Sequence, residues 1–178
     1  MTTSPAEFSR IYRVDSIGER PRTVDLEADA AERVALATRF GLQSIALLKG
    51  TAALSRVAGG IAASGRLEAQ VEQFCVATGE PVPATISESF SLKFVAAETG
   101  VPADEIELEE DDLDIVDFDG QAVDMGEALA QTMALALDPF PRSPNAETTL
   151  RQAGVLSEEE AGAFGPLAAL KKKMTGGA

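Results

Sequence analysis

The chain has 178 residues, 45% of them hydrophobic, which is enough for one domain with a real core and too few for two of ordinary size plus a linker. It holds one cysteine and no histidine, which excludes an internal disulfide, a paired-thiol zinc site and histidine-based acid-base catalysis. The formal net charge of -14 falls in residues 76–178, where six Lys/Arg face twenty Asp/Glu, against nine of each in residues 1–75. Approach to a bare phosphate backbone would cost repulsion, so unaided RNA or DNA binding is disfavoured and a basic protein is the better partner.

The N-terminus lacks the basic-then-apolar pattern of a signal peptide, and the longest uninterrupted apolar run is five residues, Met133–Leu137. A soluble, cytoplasmic protein without a membrane partner is therefore expected. Phe8, Ile11 and Tyr12 alternate loosely with polar residues and predict a first strand near residues 8–14. Four arginines fall nearby, Arg10, Arg13, Arg20 and Arg22; solvated strand and loop positions account for them at least as well as phosphate contacts do.

Asp29 and Glu32 stand in the D-x-x-E relation of a capping box, and Ala30, Val34, Ala37 and Phe40 or Leu36 follow at helical spacing until Gly41. Residues 43–56 and 61–75 flank Gly59-Gly60 and predict a long antiparallel hairpin. In its second arm Leu67, Ala69, Val71, Gln73 and Cys75 alternate with Arg66, Glu68, Gln70, Glu72 and Phe74, while Gly50 and Gly65 suggest bulges or bends. After a Gly/Pro turn, Ile86, Phe90, Leu92 and Phe94 recur every second residue in the clearest strand of the chain. Glu88 breaks its inner face, which marks an edge or a solvent-open end.

Twelve carboxylates lie between Asp104 and Glu127, and no Lys or Arg lies between Lys93 and Arg142. Glu105–Glu109 and Leu113–Phe118 read as short strands, the second running into Asp119-Gly120 as a hairpin turn. Asp124 and Glu127 form another D-x-x-E box, opening a helix through Met125, Ala128, Leu129, Thr132, Met133, Ala136 and Leu137 that Pro139 stops. The fold expected is α+β: a single domain over residues 1–140 with an antiparallel sheet, barrel-like closure being the alternative to an open one, and two main helices. Residues 141–178 read as a mostly extended or flexible tail, with a short helix within Ser157–Leu170 as one option and Lys171–Lys173 at its end.

No chemistry-bearing constellation emerges. Centred on Gly120, a calcium loop would place Asp117 and Asp119 correctly but needs ligands at Ile115 and Gly126, and Glu127 arrives one residue late. Paired carboxylates for hydrolysis come from separate elements in a cleft, whereas these cluster along one edge. Cys75 has no histidine to activate it, and neither nucleotide-phosphate glycine motif occurs. We expect no enzyme, no catalytic residue, no metal and no cofactor. Glu107, Glu109, Glu110, Asp111, Asp112 and Asp114 are the candidates for docking a basic partner.

The order of motifs, G-R-L-E-A-Q-V-E-Q-F-C-V-A-T-G-E-P-V, an E-x-F-x-L-x-F strand, an acidic spacer, then D-M-G-E-A-L-A-Q-T-M-A-L-A-L-D-P-F-P-R, resembles the YceD family, the large ribosomal RNA subunit accumulation proteins. The resemblance covers roughly residues 60–170. Against the family's C-x-x-C-L-E-P-like turn, Cys75 matches the first cysteine and Glu80 and Pro81 the turn, while Thr78 replaces the second cysteine and Gly79 the leucine. Asp124, Gly126 and Glu127 match the D-x-G-E motif, and GPLAALKKK resembles a C-terminal P-F-A-x-L-x-x-L segment with Leu167 for Phe. The resemblance implies a bacterial factor for accumulation or processing of large-subunit ribosomal RNA, with a ribosomal protein or a large-subunit precursor particle as partner. An acidic module that binds or chaperones a basic ribosomal protein is the alternative.

Overall fold

The computed structural model describes residues 7–96 and 114–155. The chain divides into two compact units: one takes residues up to Gln73 with Pro83–Pro139, the other Phe74–Val82 with the residues from Phe140 onward. Elements follow in the order β1 (Ile11–Arg13), β2 (Arg22–Glu27), α1 (Ala30–Phe40), β3 (Ser44–Val57), β4 (Gly60–Phe74), β5 (Pro81–Ala96), β6 (Asp114–Phe118), β7 (Ala122–Asp124), α2 (Met125–Leu135) and α3 (Ala146–Gln152). Five strands form one sheet in the order β2-β3-β4-β5-β6, and β1 pairs with β7 in a second, two-stranded sheet. The α+β class holds, and the larger sheet is open: among the described residues β2 and β6 are its edges.

The sheet grows outward from its longest hairpin. β3 and β4 pair antiparallel from Ser44↔Glu72 to Val57↔Gly60, with Gly59 at a φ of +78° in the turn, a conformation that glycine adopts without a Cβ clash. The alternation of β4 is as its sequence dictates: Leu67, Ala69, Val71, Gln73 and Cys75 are buried, and Arg66, Glu68, Gln70 and Phe74 are exposed. Gln73 satisfies its buried amide by donating to the Asp138 carbonyl at 2.8 Å.

Gly50 and Gly65 are not bulges. Both sit in register, Gly50↔Leu67 and Ala52↔Gly65, and the one irregularity of this ladder falls between Ile45 and Leu47. Their role is close approach instead. A Cβ at Gly50 would lie 2.8 Å from Leu129 Cδ1, and one at Gly65 would lie 2.0 Å from the Thr51 carbonyl and 2.8 Å from the Phe90 ring. The missing side chains thus let α2 pack close on the sheet and leave room for the Phe90 ring on its inner face, where Leu48, Leu54, Leu67, Leu129 and Met133 are almost wholly buried.

Outward from the hairpin, β2 pairs antiparallel with β3 from Arg22↔Leu54 to Glu27↔Lys49 and buries Val24 and Leu26. Beyond β5 the sheet changes sense: β6 runs parallel to it, from Leu92↔Asp114 to Ala96↔Phe118. The expected all-antiparallel sheet is therefore mixed, because two-residue alternation specifies a face and carries no strand direction. The expected hairpin at Asp119-Gly120 is corrected too. Asp119 accepts from the amides of Gln121 and Ala122, Gly120 takes a φ of +80°, and the turn delivers β7 to β1 rather than back to β6.

Both predicted helices form. Asp29 and Glu32 make the reciprocal capping box of α1, each bond 2.8 Å, and Gly41 ends the helix at a φ of +65°. Of the residues read as the apolar face, Leu36 and Ala37 are buried, whereas Val34 is 69% exposed. α2 stops at Leu135, earlier than the Pro139 boundary, through bonds from the Ala136 amide to the carbonyls of Thr132 and Met133. α3 lies within the stretch read as tail. The expected strand Glu105–Glu109 and the 157–170 helix lie outside the described residues.

Gly65→Ala should lower unfolding stability by roughly 1–3 kcal/mol in urea titrations, since backbone must move to admit a methyl group. Gly18→Ala, with nothing within 4 Å, is the matched control and should stay within about 0.5 kcal/mol.

Candidate functional site

The D-x-G-E motif builds a junction at the start of α2. Asp124 ends β7 in extended conformation and caps the helix: its Oδ1 accepts from the amides of Gly126 at 3.0 Å, Glu127 at 3.2 Å and Arg10 at 2.8 Å. Its Oδ2 accepts from the Ser9 hydroxyl at 2.6 Å. The chain from Phe8 to Arg10 crosses so close to the helix start that a Cβ at Gly126 would stand 2.6 Å from the Phe8 carbonyl and 2.9 Å from the Arg10 amide. Only glycine fits there, and the Met125 amide completes the junction by donating to the Arg10 carbonyl at 3.0 Å.

Glu127 does not close the expected capping box. Its two oxygens accept from the Arg39 guanidinium at 2.6 and 2.8 Å, a bidentate pair, and Oε1 also accepts from Gln131. Arg39, in the last turn of α1, additionally reaches Glu7 at 2.9 Å. Hydrogen bonding to Arg39 holds the Glu127 carboxyl below its usual range against the opposing effect of burial, and Gln131 adds to it. The other end of α1 is clamped alike: Arg10 pairs both nitrogens with Glu32 at 2.7 and 2.9 Å, lowering the Glu32 carboxyl. Arg10 is thus committed within the fold, and Arg13 pairs with Asp15 at the surface.

The second motif forms a separate polar nest. Cys75 follows β4 and is 3% exposed; its amide donates to the Glu80 carbonyl, and the Gly79 amide returns to the Cys75 carbonyl with Gly79 at a φ of +72°. Pro81 opens β5. The Thr78 hydroxyl lies 3.2 Å from both Glu80 Oε2 and the Ser143 hydroxyl, the Ser143 amide donates to the Cys75 sulfur at 3.2 Å, and Asn145 donates to Glu80 Oε1.

Burial pushes the Cys75 thiol up, but the Ser143 amide, the Thr78 and Ser143 hydroxyls and the Ala77 backbone outweigh it, bringing the thiol down to about 6. These donors favour the thiolate but cannot take up its proton as a histidine base would. Ser143, whose hydroxyl also leads in lowering the Glu80 carboxyl, left no trace in the sequence, since it comes from a proline-rich stretch read as tail.

Of the docking candidates, Asp114 begins β6 and is exposed; Glu107, Glu109, Glu110, Asp111 and Asp112 lie outside the described residues. Among the described residues no group of three or more His, Cys, Asp or Glu is placed to hold a metal ion, and no helix is long and apolar enough to cross a membrane. The family model described as large ribosomal RNA subunit accumulation protein YceD matches residues 63–172. The chain belongs to the YceD family. No curated protein and no solved structure matches it. The YceD match begins inside β4, so Ser9, Arg10 and Arg39, the partners of the family's D-x-G-E acids, come from chain outside the matched segment.

A carboxylate with a depressed folded pKa stabilises fully above its unfolded value, about 4.3 for Glu, and the gain disappears as pH falls through the folded value. Glu127→Gln should therefore flatten the acid limb of the stability-pH curve below about pH 5, leaving the parts due to Glu32 and Glu80. A limb unchanged by the substitution would refute the role of the Arg39 pair. For the other motif, thiolate ultraviolet absorbance should titrate with a midpoint at about 6, vanish in Cys75→Ser and move upward in Thr78→Val. A midpoint near the ordinary value of about 8.5 would contradict the nest.

Proposed function

We propose that this protein is a non-enzymatic ribosome-biogenesis factor in the cytoplasm that supports accumulation or processing of large-subunit ribosomal RNA. It acts by contact with a ribosomal protein or a large-subunit precursor particle. Membership of the YceD family supports the pathway. The observation that carries the non-enzymatic reading is the state of the motif acids: Asp124 is occupied by two helix-start amides, a third amide and a hydroxyl, and Glu127 by Arg39 and Gln131.

A general acid or base must reach a substrate proton, and a metal ligand needs free lone pairs. These carboxylates have theirs engaged inside the fold. Cys75 is almost wholly buried. A chain of net charge -14 gains by meeting the basic proteins of a ribosomal particle and loses by meeting its RNA unaided.

Depleting the protein in its host should raise precursor large-subunit RNA and lower mature large subunits, read by RNA blotting and sucrose-gradient profiles. Complementation with the intact chain should restore both. Normal precursor and subunit levels on depletion under every growth condition would overturn the proposal.

A further inference from the structure

We draw no further inference here: the strongest candidate, the groove of about 920 Å³ lined by Ile11, Arg13, Arg56 and Gln121 beside the β1–β7 sheet, adjoins Ala96, the last described residue before Asp114, and nothing in the structure shows what covers it.

Discussion

The fold of the first unit turns on one carboxylate. Asp124 binds the first amides of α2 and, through Ser9 and the Arg10 amide, the chain that leads into β1. It therefore fixes three pieces of chain with one group. The pairing Ile11↔Asp124 follows directly, as does the burial of Phe8, Val123 and Met125 around it. An N-terminal helix amide has no intrahelical partner, so a carboxylate here meets both free donors and the favourable end of the helix dipole. Gly126 is the second half of this constraint, because the chain bonded to Asp124 passes through the space that its side chain would fill. Once α2 is started in this position, Leu129 comes to stand over Gly50 and the helix closes the core.

The same geometry explains how the charges are partitioned. α1 is held at its start by Arg10–Glu32 and at its end by Arg39–Glu127, with the arginine side chains about one-third exposed. Pairs of this exposure contribute little one at a time, so their value lies in orientation more than in stability. They do consume arginines of the N-terminal half, where positive and negative charges balance. Glu88 and Asp114, further along, make no ion pair among the described residues.

Local rules were legible in the sequence wherever the deciding neighbours were close along the chain. The Asp29-Glu32 box, Gly41, the Gly59-Gly60 turn and the alternation of β4 each need only a few adjacent residues to be read. β2 carries the same kind of signal, since RTVDLE alternates Val24 and Leu26 with polar residues. What could not be read depends on partners far away: Glu127 looks like a capping residue until Arg39, 88 positions earlier, is placed beside it. Ser143 approaches Cys75 across 68 positions, and no periodicity reports that. Strand direction failed for a related reason, because the pattern of β6 is satisfied equally by parallel or antiparallel pairing.

The reversal of direction at β6 has a structural consequence for β5. A hairpin partner would start beside the end of β5, whereas the parallel β6 meets it, among the described residues, over Leu92–Ala96. Near the start of β5, Pro83 removes one amide donor and so discourages pairing there. Between these limits stand Ile86, Glu88 and Phe90 on the inner face and Ser87, Ser89 and Ser91 on the outer. Glu88 interrupts that apolar inner face, and an inward carboxylate of this kind discourages pairing with a further apolar strand.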